Sequence, residues 1–303
     1  MSAPFLYRAW VLASRCLIPF AASAEARKLN AQDVPAARAG EKRGIATQPR
    51  PSGGPLVWVH AASVGESLSV LALITRMGHM LPDAHFLITS GTATSARLVD
   101  QRLPPRSLHQ FAPLDAPGPL KRFLAHWQPD AAIFVESEIW PQMLRRTHAT
   151  GAPMALVNAR MSDKTVEFWE KWPRTARYLF DVFTLIVTQN DAMARNMIRM
   201  HAPADRVSPG VNLKSMAGPL PVDAQALAAA RTALGGRAVW VASSTHEGEE
   251  RSVLDAHKKL LREIPDLCLI LAPRHPERGD AVEALVQDAG LTVQRRSRGD
   301  APG

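Results

Sequence analysis

Residues 56–66 read LVWVHAASVGE, a short apolar run that passes through a turn of small residues into a helical pattern. Similar apolar runs follow along the chain, so that the full set is Leu56–Ala61, His85–Thr89, Ala131–Val135, Met154–Val157 and Leu185–Thr188. Helical patterns lie between or after these runs, at Ser67–Met80, Ala93–Gln101, Pro119–His126, Trp140–Thr150 and Ala192–Met200. Strands that alternate with helices form parallel sheets buried on both faces, so the sequence predicts an α/β protein with a doubly wound parallel sheet.

The alternation stops around residues 202–208 and then restarts. Its second part contains three predicted helices and three predicted strands, at Asp223–Leu234, Ala238–Ala242, Glu249–Ile264, Cys268–Ala272, Ala281–Ala289 and Thr292–Val293. We therefore predict an N-terminal segment and linker over 1–55, a Rossmann-like domain over 56–207 and a second one over 208–303. Three strands are fewer than a complete doubly wound domain has, so we expect the second domain to be incomplete.

Composition and charge narrow the classes of protein. The chain has 303 residues, 46% of them hydrophobic, which is enough for two domains with cores of their own. Its two cysteines form neither a disulfide scaffold nor a metal cluster and fit a reducing compartment. Lysine and arginine exceed the acids by 8, and residues 1–55 hold eight basic against three acidic side chains. This basic arm is either a solvated tail or suits an anionic surface, and without zinc-finger spacing lipid is favoured over nucleic acid.

The N-terminal segment is apolar but short. Residues 9–24 are mostly apolar, with Arg15 and Pro19 interrupting them, and as a helix they would span ~24 Å, less than a ~30 Å hydrocarbon core. Ala22-Ser23-Ala24 resembles a signal-peptidase site, although Arg15 disfavours a signal peptide. We favour a segment that lies in the membrane interface, with a signal peptide and a plain surface helix as alternatives. Residues 25–55 are predicted to be a loosely ordered linker.

The first candidate site follows the run at residues 56–61. Ligands of open α/β sheets bind at such carboxyl ends of strands. Ser63 and Glu66 have the spacing of a capping box, in which each side chain satisfies a backbone N–H of the other residue. Spacing alone leaves two roles open for Glu66, a helix cap and a catalytic carboxylate.

A similar pattern recurs in the second half, at Ser243-Ser244-Thr245-His246-Glu247. Ser244 and Glu247 again have capping-box spacing, and the N-terminus of a helix that begins here could hold a phosphate. Arg274 and His275 follow the next predicted strand and could clamp a nucleotide phosphate. The alternatives are an ordinary capped helix and a basic surface turn.

Two acids, Glu136 and Glu138, follow the run Ala131–Val135. Such a pair could bind a metal, share acid–base chemistry or orient substrate hydroxyls, and it could also be an acidic helix N-terminus. The chain has no D-x-D pair of the kind that many metal-dependent sugar transferases use, so we predict that no metal is essential. Weaker candidates are Asn158 and Arg160 after the fourth run, and Lys214 near the domain junction.

The candidate stretches, taken in order, resemble the family of 3-deoxy-manno-octulosonic acid (Kdo) transferases of lipopolysaccharide synthesis. They are residues 60–66, 136–141, 158–162, 210–214, 242–250 and 272–278. The resemblance implies a GT-B architecture, with a lipid acceptor on the N-terminal domain and the CMP of the donor on the C-terminal domain. It implies Glu66 as the general base and nucleotide contacts from Arg274 and His275. Two departures are an inserted Val211, with Ser215-Met216 after it, and a chain shorter than family members. We expect either a fragment or a truncated product.

The resemblance also implies the reaction, an inverting transfer of Kdo from CMP-Kdo to a lipid A precursor (lipid IVA), without a cofactor. The expected place is the cytoplasmic face of the inner membrane, where the N-terminal segment holds the enzyme on an anionic surface. The expected roles of the remaining residues are catalysis for Glu136 and Glu138, donor binding for Ser244, Thr245, His246 and Lys214, and acceptor or sugar contacts for Ser63, Asn158 and Arg160. Alternatives are a GT-B transferase with another nucleotide-sugar donor and a non-catalytic, lipid-binding remnant.

Overall fold

The computed structural model describes residues 2–216 and 222–301. The chain divides into two compact units, Met1–Gly218 and Pro219–Gly303, and each is described by itself. Both contain parallel strands and helices, as the alternating pattern predicts.

The first unit contains a seven-stranded parallel sheet in the order β3-β2-β1-β4-β5-β6-β7. Its strands are β1 Leu56–His60, β2 His85–Ser90, β3 Ser107–Phe111, β4 Ala131–Val135, β5 Met154–Ala159, β6 Leu185–Thr188 and β7 Val207–Pro209. Every residue of β1 is buried, which fits a central strand covered on both faces. The first strand order reversal falls beside β1, where ligands of doubly wound sheets bind.

Nine helices surround this sheet in the described part of the first unit. They are α1 Phe5–Asn30, α2 Ala36–Ala39, α3 Val64–Met80, α4 Ala93–Asp100, α5 Pro117–Trp127, α6 Pro141–His148, α7 Asp163–Glu170, α8 Pro173–Phe180 and α9 Asp191–Arg199. The largest core cluster lies on one face of the sheet and includes Trp58, Phe123, Trp127 and Phe134. A second cluster, which includes Val59, Phe86 and Ile88, covers the other face, so the sheet is buried on both sides.

The strands β3 and β7 are not marked by apolar runs in the sequence. In β3, His109 and Gln110 are buried, and each forms a side-chain hydrogen bond with a partner distant in sequence. The indole N–H of Trp127 donates to Oε1 of Gln110 over 2.8 Å, and Ser90 Oγ lies 2.9 Å from Nε2 of His109. The short β7 pairs with β6 and extends the first sheet beyond residue 207, where the sequence prediction ended the first domain.

The predicted linker is more ordered than expected. The helix α1 continues to Asn30, and α2 and a 3-10 turn at Gly40–Arg43 follow it. Within that turn Glu41 and Lys42 are buried, and Oε2 of Glu41 accepts the backbone N–H of Phe111 over 2.7 Å. The prediction of a loosely ordered segment over 25–55 is therefore wrong, because these side chains bond to the edge of the sheet.

Among the described residues, no single helix has both the length and the apolar character needed to cross a membrane. The two halves of α1, Phe5–Ile18 and Phe20–Asn30, meet that requirement only as a pair bent by 56°.

The second unit contains a two-stranded parallel sheet, β8 Val239–Thr245 and β9 Cys268–Pro273. Its helices are α10 Ala224–Leu234, α11 Glu249–Leu260 and α12 Gly279–Asp288. The last predicted strand, Thr292–Val293, is wrong, because these residues belong to no strand and precede a 3-10 turn at Arg296–Arg298. Arg295 and Arg298 tie this end to Asp280 and Glu283 on α12 instead.

Candidate active site

Three predicted site segments meet at the carboxyl ends of β1, β4 and β5. Glu66 lies in the first turn of α3, which follows β1 after a turn of three residues. Glu136 comes directly after β4, and Asn158 lies near the end of β5. Because β1, β4 and β5 are neighbours in the sheet, these side chains, far apart in sequence, share one edge.

Glu66 caps the start of α3 through its backbone and its carboxylate. Its backbone N–H donates to Oγ of Ser63 over 3.3 Å, and the Ser63 hydroxyl donates to Oε1 of Glu66 over 2.8 Å. The other carboxylate oxygen accepts the N–H of Ala62 over 2.9 Å, one residue earlier than in a standard capping box. Burial raises the pKa of Glu66, and the negative charges of Glu138 and Glu136 add to that rise, whereas the bonds from Ser63 and Ala62 oppose it.

Glu136 and Asn158 hold Lys214 in the same cluster. Nζ of Lys214 lies 3.0 Å from Oε1 of Glu136, and Nδ2 of Asn158 donates to that oxygen over 3.2 Å. Oδ1 of Asn158 accepts the backbone N–H of Leu213 over 3.1 Å, which fixes the segment before Lys214. A Cβ added to Gly65 would lie 3.8 Å from Nζ of Lys214, so the ammonium is close to the turn that contains Glu66.

Two of these residues have an unusual backbone. Glu136 has φ 53° and Asn158 has φ 55°, a left-handed conformation that costs non-glycine residues of order 1–3 kcal/mol. Such strain concentrates where a side chain must be aimed at a ligand or partner. Here the side chains of Glu136 and Asn158 meet at one ion pair with Lys214.

Glu138 contacts His60, to which the sequence had assigned no role. Nε2 of His60 lies 3.1 Å from Oε2 of Glu138, and the indole N–H of Trp140 donates to the same oxygen. The other ring nitrogen of His60 lies 3.0 Å from Oγ1 of Thr89. Burial acts to raise the pKa of Glu138, but the hydrogen bonds of His60 and Trp140 and the charge of His60 outweigh it, and the pKa lies below its ordinary value.

Arg160, by contrast, is exposed and forms no hydrogen bond or ion pair within the described residues.

The arrangement contains three buried carboxylates in different environments. Glu66 has a raised pKa and faces the turn, Glu136 is neutralised by a lysine, and Glu138 is held ionised by hydrogen bonds. The environments of Glu66 and Glu138 shift their pKa values in opposite directions, a pattern that is typical of acid–base sites.

In the second unit the predicted capping box is wrong. Ser244 lies inside β8 with φ 59°, and α11 begins only at Glu249, after Gly248. The strand continues because Thr245 pairs with Pro273 beyond an irregularity in the ladder. The carboxylate that bonds back across the turn belongs to Glu249, whose Oε2 accepts the N–H of His246 over 2.7 Å.

The structure nevertheless brings the two predicted donor segments together. The N–H of Arg274 donates to the carbonyl of Thr245 over 2.9 Å, and the rings of His246 and His275 lie 5.9 Å apart at 69°. The side chains of Ser244, His246, Arg274 and His275 belong to exposed residues, whereas Thr245 is buried. The basic residue that follows, Arg278, forms a two-bond pair with buried Glu250 at 2.6 and 3.1 Å and is structural.

Within residues 2–216 and 222–301, no group of three or more His, Cys, Asp or Glu side chains is arranged to hold a metal ion. The nearest candidates, Glu136 and Glu138, already bond to Lys214 and to His60 with Trp140.

Comparison with known proteins identifies the fold and the family of this chain. The chain superposes on a glycosyltransferase from Rickettsia africae with a TM-score of 0.53 at 11% sequence identity, over 79% of this chain and 66% of that one. This likeness confirms the α/β fold of GT-B type. Residues 37–217 match the sequence profile of a family described as 3-deoxy-D-manno-octulosonic-acid transferase (kdotransferase). The chain belongs to that family.

Two relatives agree with this assignment. The chain is 32% identical over 266 residues to a probable mitochondrial 3-deoxy-D-manno-octulosonic acid transferase of Arabidopsis thaliana, covering 86% of this chain and 59% of that protein. It is 35% identical over 247 residues to a 3-deoxy-D-manno-octulosonic acid transferase of Rickettsia felis, covering 82% of this chain and 53% of that protein. The chain thus spans between half and two thirds of the length of these relatives.

Proposed function

We propose that the protein transfers Kdo from CMP-Kdo to a lipid A precursor, lipid IVA, by an inverting displacement in which Glu66 is the general base. The observation that carries the proposal is the buried Glu66 carboxylate at the carboxyl end of β1. Its raised pKa makes it a better proton acceptor than a solvated carboxylate. Membership of the family supports Kdo as the sugar.

In this reaction an acceptor hydroxyl oxygen forms a bond to the anomeric carbon of Kdo. The bond between that carbon and the phosphate oxygen of CMP breaks, and its electron pair leaves with CMP. The hydroxyl proton moves to Glu66. A proton acceptor placed in this way typically contributes 10²–10⁴-fold to the rate.

Two neighbouring charged groups would assist the transfer in different ways. Lys214, held by Glu136 and half exposed, would neutralise the negative charge of the leaving phosphate. Glu138, oriented by His60 and Trp140, would accept hydrogen bonds from substrate hydroxyls. Ser63 and Asn158 hold Glu66 and Glu136 through hydrogen bonds, and Arg160, exposed and unbonded within the described residues, would contact the acceptor or sugar.

The second unit would bind the CMP part of the donor. The exposed residues at the ends of β8 and β9 would contact the phosphate and ribose, namely Arg274, His275, His246 and Ser244. Thr245 would position Arg274 by accepting its backbone N–H. The N-terminus of α11 is less suited to a phosphate than the sequence indicated, because Glu249 and Glu250 occupy its first turn.

The helix α1 would hold the enzyme on the anionic cytoplasmic face of the inner membrane. One side of α1 is fixed to the first unit, since the indole of Trp10 donates to Oδ2 of Asp115 and the amide of Gln142 donates to Oγ of Ser14 over 2.6 Å. Four large apolar residues of α1 are exposed, Phe5, Leu12, Leu17 and Phe20. Exposed Arg8 and Arg15 suit lipid headgroups beside such a surface.

The test is an assay of the purified protein in detergent with labelled CMP-Kdo and lipid IVA, followed by mass spectrometry of the lipid. We expect a lipid product heavier by one or more Kdo residues. If the protein transfers a sugar from a UDP-sugar and none from CMP-Kdo, the proposed donor is wrong. If it binds the lipid and turns over no donor, it is a lipid-binding protein and not an enzyme.

A further inference from the structure

A small pocket lies beside the candidate active site, and its buried lysine has no part in the reaction described above. It encloses about 110 Å³ between the carboxyl ends of β1 and β2 and the segment after β3. Its walls are mainly apolar, from Ala112, Pro113, Leu114, Trp140 and Met143, and its polar members include Lys42 and His60. Pockets for whole drug-sized ligands are ~300–1,000 Å³, so this one fits a single small group of a larger substrate. We call it the Lys42 pocket.

Lys42 is a buried cation with spare hydrogen-bonding capacity. Its residue is 6% exposed, and its ammonium donates to the carbonyl of Gly91 over 2.8 Å. The carboxylate paired with it, Glu25, is more distant, at 3.9 Å from Nζ. An ammonium has three N–H donors, and burying one without full compensation is costly. Burial lowers the pKa of Lys42, and the charges of Glu25 and Glu41 oppose that effect. Nζ also lies 5.7 Å from the centre of the Phe111 ring, but the carbonyl of Gly91 is its one hydrogen-bond acceptor among the described residues.

The other charged group in the wall does not compensate Lys42. Asp115 lines the same pocket, but its carboxylate is already bonded. Oδ1 accepts the N–H of Met143 over 2.6 Å, and Oδ2 accepts the indole of Trp10 and the N–H of Gln142. These bonds direct Asp115 to the N-terminus of α6, where it caps that helix.

A short chain of hydrogen bonds connects Lys42 with the turn that contains the proposed base. Gly91, whose carbonyl accepts from Lys42, donates its own N–H to the carbonyl of Ala62 over 2.9 Å. The N–H of Ala62 donates to Oε2 of Glu66 over 2.9 Å, and Ala62 itself lines the pocket. A group inside the pocket therefore lies against the same turn as the carboxylate of Glu66.

We propose that the Lys42 pocket binds an oxyanion of one of the two substrates, to which the ammonium of Lys42 donates a hydrogen bond. The acceptor hydroxyl that reacts lies beside Glu66 at the same time. This inference rests on the proposed function. A phosphate of the lipid acceptor and the carboxylate of the transferred sugar acid share the required chemistry, because both accept charge-assisted hydrogen bonds from an ammonium. Lys42 is thus a specificity-determining residue rather than a member of the proton-transfer pair.

The test compares Lys42→Met, which keeps the buried stem and removes the charge, with Lys42→Arg and with the exposed control Lys164→Gln. KM is measured separately for CMP-Kdo, for the phosphorylated acceptor and for an acceptor stripped of phosphate. If the oxyanion is an acceptor phosphate, K42M raises KM for the phosphorylated acceptor by about 10–100-fold, the size of one lost charged hydrogen bond, and leaves the stripped acceptor unaffected. If it is the sugar carboxylate, KM for CMP-Kdo rises instead.

Lys42→Arg is expected to restore part of the lost affinity, whereas K164Q matches the parent protein. A folded K42M variant, checked by its thermal unfolding, with all three KM values unchanged would overturn the proposal and leave Lys42 a structural role. A direct binding measurement separates this inference from the proposed reaction. Inorganic phosphate and free Kdo are titrated against the fluorescence of Trp140, assigned with Trp140→Phe. Saturable quenching that K42M abolishes supports the pocket even in a protein that transfers no Kdo, and its absence for both probes refutes it.

Discussion

His60 and Glu138 meet across the two central strands of the first sheet, with Nε2 of the imidazole 3.1 Å from Oε2 of the carboxylate. Both residues are buried, and His60 bonds through its other nitrogen to Thr89, which also accepts the indole N–H of Trp58 over 2.8 Å. These hydrogen bonds connect Trp58 in the core with Glu138 at the edge of the site. Because a buried charged acceptor loses much when its donor is removed, we expect this pair to be strongly coupled.

A double-mutant cycle with His60→Gln and Glu138→Gln measures that coupling through the free energy of unfolding in urea at pH 7. We expect a coupling of about 1.5–3 kcal/mol, as for hydrogen bonds to charged groups inside proteins. The matched control is the surface pair Arg199 and Glu170, joined over 2.9 Å with both side chains at least one-third exposed. That pair should give less than about 1 kcal/mol. Equal coupling in the two pairs would contradict the interpretation.

Glu66→Gln tests the proton acceptor. We expect Kdo transfer to fall by about 10²–10⁴-fold, because glutamine cannot take the proton. The fold should persist, since the one glutamine oxygen still accepts the N–H of Ala62, while the amide NH2 can donate to the hydroxyl oxygen of Ser63 in place of the present bond. The exposed control Glu167→Gln should retain full activity. Near-normal transfer by a folded Glu66→Gln variant would rule out Glu66 as the base.

From the raised pKa of Glu66 we predict how activity and stability depend on pH. Activity should fall as the pH drops through that pKa, above the ordinary value of 4.5, because the protonated carboxyl accepts no proton. In that window the folded state binds more protons than the unfolded chain, so the contribution of Glu66 to stability decreases as pH rises. Glu66→Gln should therefore match or slightly exceed the parent in free energy of unfolding at pH 7, by less than about 1 kcal/mol. A clear loss at pH 7 would show that capping outweighs the cost of burying the charge.

Local patterns predicted the strands whose side chains are apolar, since an apolar run such as Ala131–Val135 signals burial without knowledge of its neighbours. They did not predict β3, because His109 and Gln110 are buried only through partners contributed by Ser90 and Trp127. Because local patterns do not show long-range partners, the sequence also led to the wrong prediction of a loosely ordered linker over residues 25–55. Nothing local distinguishes Glu41 and Lys42 from solvated residues, and their burial depends on contacts with Phe111 and Gly91.

The site was predicted from the rule that carboxyl ends of parallel strands converge, which selects Glu66, Glu136 and Asn158 without any geometry. The rule could not show that Lys214 would pair with Glu136, because Lys214 lies beyond the last strand of the sheet and is brought there by the bond between Asn158 and the N–H of Leu213. It could have suggested His60, the last residue of β1. The predicted cap at Ser244 failed because an S-x-x-E pattern cannot reveal that the strand extends to Thr245.

Removal of divalent metal is expected to leave activity intact. In the described part of the chain, no three His, Cys, Asp or Glu side chains are arranged to hold a metal ion, and Lys214 already neutralises Glu136. Transfer should therefore proceed at an unchanged rate in excess EDTA, measured with protein dialysed against the chelator. Complete loss that Mg²⁺ restores would assign Glu136 and Glu138 as ligands and displace Lys214 from its proposed role.

The last prediction separates two arginines four residues apart, Arg274 and Arg278. Arg274 is exposed and its structural contact is its backbone N–H, so Arg274→Ala should weaken CMP binding by about tenfold or more without changing stability. Arg278 bonds twice to buried Glu250, so Arg278→Ala should destabilise the second unit and leave an unpaired carboxylate. Calorimetry with CMP measures the first effect, and hydrogen exchange over α11 and α12 measures the second.

The pH dependence of the Arg278→Ala defect provides an independent check. Hydrogen bonds from Arg278 hold the pKa of Glu250 below its ordinary value of 4.5. A carboxyl with a depressed folded pKa stabilises the fold above its unfolded pKa and loses that contribution as the pH falls through the folded pKa. The loss of protection in Arg278→Ala should therefore be largest at neutral pH and shrink below about pH 4. If Arg274→Ala loosens α11 and α12 while Arg278→Ala only weakens CMP binding, the roles of the two arginines are reversed and the proposed donor contact moves to Arg278.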